Sequence, residues 1–276
     1  LVRVAGNGSL HTATNAFFSL GVRGGSGAFG IVQVTNNAVA EIGRLCLGVR
    51  ADVNGVYGGA ARVEILGGRL TVANYFNWMG DTVPYRTNYV YLGNGTARVG
   101  TLETVPTSIS VSTTNNYSYL YFNGGILSPV ALAGYDTKAS LTNFLNGLTY
   151  ARVLGGGAYV DTKGLDLAIL QPLEKVLGVT DGGLTKSGMG MLTVKGTCTF
   201  TGKTTVEAVT LSIPAVYAST AVEVAEGSRL DLVNGQIATN VFDTVTFQNN
   251  SGITFEVGAD GSCDSVQVTG VATMGT

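Results

Sequence analysis

Short runs in which apolar and polar residues alternate recur along the whole chain, each closed within a few positions by glycine, asparagine or aspartate. Leu165, Leu167 and Ile169 alternate with Asp166 and Ala168. Val222 and Val224, Leu230 and Leu232, Val245 and Phe247, Ile253 and Phe255, and Val266 and Val268 keep the same period of two. Period two puts one set of side chains on a buried face and the other on an outer face, so these runs predict strands of about three to six residues. Ile31, Val32 and Val34, then Val39, Ile42, Leu45 and Leu47, are punctuated too often for helices.

The runs also repeat as groups. Residues 29–48 line up with 60–80: a Val-x-Val or Val-x-Ile strand, an Asn-Asn or Gly-Gly turn, a second strand and a closing apolar-Gly. Residues 119–132 give the same outline again. Self-similarity at roughly 20 to 30 residues marks a solenoid, whose units bury their faces only against their neighbours. One segment departs from it. In 138–148, Leu141, Phe144, Leu145 and Leu148 fall at i, i+3, i+4 and i+7 behind Ser140, which predicts one or two helical turns on the flank.

The densest pattern is 182–211, GGLTKSGMGMLTVKGTCTFTGKTTVEAVTL. Gly183, Leu184, Thr185 and Lys186, the turn glycines Gly188 and Gly190, then Leu192, Val194, Phe200, Gly202, Thr205, Val206 and Leu211 resemble the passenger-associated repeat of bacterial autotransporters at nearly every motif position. Cys198 and Val209 depart from it, where a small polar residue and a glycine are usual. The stretch reads as one coil. Residues 29–132 are similar to the spacer coils that precede this repeat. The resemblance implies a right-handed parallel β-helix, an extracellular place on a Gram-negative-type bacterium, and help from the repeat in passenger secretion and folding.

Composition narrows the function classes. Forty glycines against five prolines make glycine the main turn residue. A charged fraction of 12% beside 45% hydrophobic residues argues against disorder. No apolar run of about 18 residues marks a membrane helix. A net charge of −2 without a basic cluster argues against nucleic acid. Cys46, Cys198 and Cys263 have neither zinc-site nor disulfide-framework spacing and read mainly as buried thiols, with a bridge or intermolecular link as the alternative. Leu1 in place of Met, and a last segment that stops in mid-strand pattern, are read as the limits of a section of a longer chain.

Candidate sites are few. The run TCTFTGKT at 197–204 lacks the first glycine and the following helix of a phosphate loop. His11, the one histidine, reads as a surface residue, and Asp260 and Asp264 as turn formers rather than calcium ligands. Asp161, Asp166 and Asp181, with Arg152 and Lys163, are the groups a polysaccharide lyase or hydrolase could recruit; the competing reading is scattered solvated charges. The aromatic-rich 75–122 region offers Tyr75, Trp78, Tyr85, Tyr89, Tyr91, Tyr117, Tyr119 and Tyr121 as a glycan or partner surface, against a plainer division between core and flank.

The resulting expectation is an all-β chain, a single right-handed parallel β-helix or solenoid with one short flanking helix, continuous over 1–276. Its parts are spacer-like coils (1–132), coils with the helix (133–181), the repeat (182–211) and further coils (212–276). The leading function is a non-catalytic stalk or fibre section of a large secreted surface protein, with an adhesin using the aromatic region as the alternative. No cofactor or metal is called for, and the implied partners are further copies, end to end or side by side, and glycans.

Overall fold

The computed structural model describes residues 1–13, 15–20, 29–48, 60–78, 87–105, 117–130 and 141–275, within which every helix or strand element is a strand. The strands, numbered along the chain, form three sheets. The first runs β1 (Val2–Val4), β4 (Phe29–Val34), β6 (Ala60–Ile65), β8 (Thr87–Leu92), β10 (Tyr117–Phe122), β13 (Tyr150–Val153) and β16 (Leu173–Lys175). The second runs β2 (Ser9–His11), β5 (Val39–Leu47), β7 (Arg69–Trp78), β9 (Thr101–Thr104), β11 (Ile126–Pro129), β14 (Ala158–Asp161), β17 (Leu184–Ser187), β19 (Thr204–Val206), β21 (Ala221–Val224), β23 (Thr239–Phe247) and β25 (Ser265–Met274), with β3 (Phe17–Leu20) beside β5. The third is β12 (Leu141–Leu145), β15 (Leu167–Ile169), β18 (Met191–Val194), β20 (Thr210–Ser212), β22 (Arg229–Asp231) and β24 (Gly252–Thr254).

Every pairing between these strands is parallel, and each joins one coil to the next. The chain is therefore a β-solenoid, all-β as its alternation predicts. The aligned segments are stacked neighbours: Phe29 pairs with Ala60, and both halves of β5 pair with β7. The register steps from Ser9 to Val39 to Arg69, thirty residues per coil, and tightens to eighteen from Thr204 to Val222.

Fixed register stacks like side chains into files. In the second sheet one inward file runs Leu10, Ala40, Leu70, Leu102, Leu127, Val160, Lys186, Val206, Val224 and Phe247. The first sheet contributes Val4, Val34, Ile65, Leu92, Phe122 and Val153, and the third Leu141, Leu167, Leu192, Leu211, Leu230 and Ile253. These files meet in one apolar core. Beyond β16 the first face continues through bridges from Leu173 to Cys198 and from Cys198 to Tyr217, which places that cysteine in the core.

Two expectations are corrected. The predicted flanking helix is strand β12 over Leu141–Leu145 and irregular over 146–148; 138–140 lie outside the described residues. Leu141 joins Leu167 and Leu145 joins Ile169, so five residues span three and the register shifts between them. That irregularity leaves Phe144 and Leu145 both buried and imitates helical spacing. The 182–211 stretch also exceeds one coil: Leu184 already pairs with Thr204, and Met191 with Thr210. Phe200 is buried at a corner rather than on a strand, its ring edge-on to Tyr217 at 5.4 Å.

Corners this tight depend on glycine. Gly183 has φ +75°, and a Cβ there would sit 2.0 Å from the Lys203 carbonyl oxygen of the next coil, whereas Gly227, at φ +69°, has open space around it. Gly227→Ala should therefore cost only the left-handed backbone term, about 1 kcal/mol, and Gly183→Ala at least twice that. Urea unfolding midpoints of the two variants measure the difference, and equal losses would show that corner stacking does not limit the coil.

Candidate functional site

The outer face of the first sheet carries six tyrosines. On β8 and β10, Val90, Leu92, Leu120 and Phe122 point into the core, which turns Tyr89, Tyr91, Tyr117, Tyr119 and Tyr121 outward; Tyr150 follows on β13. Register sets Tyr89 beside Tyr119 beside Tyr150, and Tyr91 beside Tyr121. Across strands the ring centroids lie 4.7 Å apart for Tyr91–Tyr121 and 5.4 Å for Tyr89–Tyr119 and Tyr119–Tyr150, at interplanar angles of 9°, 17° and 21°. Neighbours along a strand are wider, 6.1 Å for Tyr89–Tyr91 and 6.0 Å for Tyr119–Tyr121. The rings thus stack face to face along the solenoid axis and present edges and hydroxyls outward.

Guanidinium groups flank this ladder. Arg62 lies 4.7 Å from the Tyr91 ring centre, and Arg152 lies 4.4 Å from Tyr150 and 5.6 Å from Tyr119. Arg62 is also ion-paired with Glu64, whose other oxygen accepts from Gln33. Partial burial is the first cause raising the Tyr91 and Tyr119 phenols above their ordinary value, the Tyr121 phenol adding to it and the arginines opposing it.

The aromatic candidates therefore divide. Tyr89, Tyr91, Tyr117, Tyr119 and Tyr121 come together. Tyr75 and Trp78 belong to β7 in the second sheet; their side chains, like Tyr85 as a whole, lie outside the described residues. Tyr150, Arg62 and Arg152 complete the group, and sequence reading missed this role for all three. The signal was periodic: Tyr89, Tyr119 and Tyr150 stand 30 and 31 residues apart, one coil each.

The carboxylates considered for hydrolysis serve corners. Asp161 accepts from the Lys163 backbone at 2.9 Å and Asp166 from the Met191 backbone at 2.7 Å. Buried Asp181 takes the amides of Gly183, Thr201 and Gly202 and the Thr201 hydroxyl. Lys163 is ion-paired with Glu103. Asp260 and Asp264 likewise accept turn amides. His11 Nδ1 lies 3.0 Å from Glu41 on an exposed face. Cys46 and Cys198 are buried and Cys263 is exposed, all three free; burial pushes the Cys198 thiol up to about 12. Among the described residues no cluster of three or more His, Cys, Asp or Glu could hold a metal ion.

The repeat-motif residues build the coil. Leu184, Leu192, Val194, Val206 and Leu211 are core, Thr185 and Thr205 are paired neighbours on the outer face, and Gly183, Gly188, Gly190 and Gly202 are corner residues. Lys186 is the exception among them. It lies in the inward file between Val160 and Val206, fully buried, its ammonium donating to the Gly188 and Ala208 carbonyls at 2.5 and 2.6 Å. Burial pushes its pKa down to about 8, against the pull of Asp161 and Asp166.

Comparison with known proteins finds no family model, no curated protein and no solved structure that matches the chain.

Lys186 gives a pH signature. Its folded pKa lies below its unfolded one, so between about pH 8 and the ordinary lysine value the unfolded chain holds a proton that the folded chain has released. Its contribution to stability is fully present above that window and is lost as pH falls through about 8, with a slope of at most about 1.4 kcal/mol per pH unit. Urea titrations of the wild type and Lys186→Met from about pH 7 to 10 should differ by this slope, with the variant flatter and at least as stable near neutrality. Parallel pH profiles would rule out a titrating, buried Lys186.

Proposed function

We propose that the chain is a non-catalytic structural section, a stalk or fibre segment, of a large secreted bacterial surface protein of the autotransporter passenger type. One observation carries the reading: the unbroken inward file from Leu10 to Phe247, in which each residue rests on its counterpart in the adjacent coil. Such a stack is stiff along its axis, and each added rung extends it by about 4.8 Å. The corner-capping duties of Asp161, Asp166 and Asp181 support the absence of catalysis. The motif at 182–211, whose apolar residues fill the core and whose glycines turn the corners, supports a part in folding during secretion.

Further coils are the partners this reading implies. In a parallel stack each rung is completed by the next, so this reading takes like coils as its partners. The test is location. Mild protease treatment of intact source cells, followed by immunoblotting with an antibody to this chain, should remove or shorten the protein while a cytoplasmic marker survives. Protection until the cells are lysed, with recovery in the cytoplasmic fraction, would refute the surface assignment.

A further inference from the structure

We propose that the outer face of the first sheet around Arg152 binds a linear acidic polysaccharide, a carboxylate resting on the Arg152 guanidinium and sugar oxygens on the phenols of Tyr119, Tyr121 and Tyr150. This goes beyond the spacer reading and does not depend on it.

The orientation of the rings decides what the face can hold. Stacking of sugar C–H groups on aromatics needs open ring faces. Here the faces meet one another across strands at 4.7 to 5.4 Å, and Arg62 and Arg152 lie against rings at the two flanks. The outward surface is ring edges, the positive part of the aromatic quadrupole, together with hydroxyl groups. None of these hydroxyls has a hydrogen-bond partner among the described residues, in contrast to Tyr217, whose hydroxyl meets Thr204 at 2.7 Å in the core. The face therefore offers hydrogen-bond donors in quantity.

Charge localises the anchor. Glu64 ion-pairs Arg62. Arg152 has no ion-pair partner among the described residues; its register neighbours are Tyr121 and Glu174, and Glu174 forms no ion pair with it. It is a cation 4.4 Å over the Tyr150 ring and 5.6 Å from the Tyr119 ring. A carboxylate placed there gains a charge-assisted contact and adjacent O–H donors.

The shape points to a polymer. Tyr89, Tyr119 and Tyr150 form a straight file at rung spacing across three coils, and Tyr91 and Tyr121 a second file beside it. A regular, shallow row of identical donors suits a linear repeating chain laid along the axis. Nucleic acid would need several unpaired cations to neutralise successive phosphates, and Arg152 is one. A protein partner would need a pocket for an apolar or aromatic anchor, and on this face the rings fill their own gaps.

Affinity electrophoresis of the chain through gels containing polygalacturonate, dextran or poly-L-glutamate tests this. Polygalacturonate should retard the wild type, less so as salt is raised, and dextran should not. Arg152→Gln, and Tyr119→Phe combined with Tyr121→Phe, should each weaken the retardation about tenfold, the loss of one charged or a few neutral hydrogen bonds. The phenylalanine pair keeps the rings stacked, and Arg152→Lys should restore part of the affinity if charge, not fold, is what was lost. Four results would overturn the proposal: no retardation, equal retardation by dextran, stronger retardation by poly-L-glutamate, or binding that neither variant alters while thermal melts are unchanged.

Discussion

Parallel register is the constraint from which the rest of this structure follows. When every strand pairs in parallel with its counterpart one coil away, a side chain has no choice of neighbour: it meets the residue that occupies its own position in the next coil, about 4.8 Å along the axis. Apolar residues gain from this on both sides at once. Leu70 rests between Ala40 and Leu102, and Val206 between Lys186 and Val224. A wrong residue is felt by two coils rather than one; coil length varies from thirty residues at Ser9–Val39 to eighteen at Thr204–Val222, and where extra residues fall within strands, as in β5–β7, β12–β15 and β23–β25, the register shifts locally.

Lys186 shows how strictly the file is enforced. Its place is among valines, and its backbone is fixed by pairing with Val160 and Val206. The ammonium cannot leave for solvent, so it turns along the corner to carbonyls of its own coil and the next. Buried charge costs stability unless it is hydrogen-bonded, and two short carbonyl contacts recover part of that cost. Asp181 does the converse one corner away, collecting amides from the Gly183 turn and from Thr201 and Gly202. Both groups satisfy corner backbone that has no strand partner, and both lie within or beside the 182–211 motif, where the coils are shortest.

The strands were legible from the sequence because their signal is local: period two, then glycine. The repeat was legible where its text was similar, as with 29–48 and 60–80, which are indeed stacked neighbours. It was hidden where only the geometry repeats. The rung from Thr87 to Thr104 carries the same inward residues, Val90, Leu92 and Leu102, under different words, and Cys198 and Tyr217 stand in for a strand through single bridges. The error at Leu141–Leu145 has the same origin. A register shift against Leu167–Ile169 buries adjacent residues, and spacing alone cannot tell that from a helix.

The tyrosine ladder follows from the same register applied to the outer face. Tyr-x-Tyr on one strand says only that two rings share a side; which rings touch is set by the length of the coil between them, 30 residues from Tyr89 to Tyr119 and 31 from Tyr119 to Tyr150. Once those coils are closed, the rings stack along the axis, because a rung spacing of about 4.8 Å falls within the range of offset aromatic stacking. Stacking then consumes the faces and leaves the hydroxyls. An aromatic-rich stretch that reads as a platform for sugar rings becomes a row of outward hydroxyls, with Arg62 paired to Glu64 and Arg152, among the described residues, without an ion-pair partner.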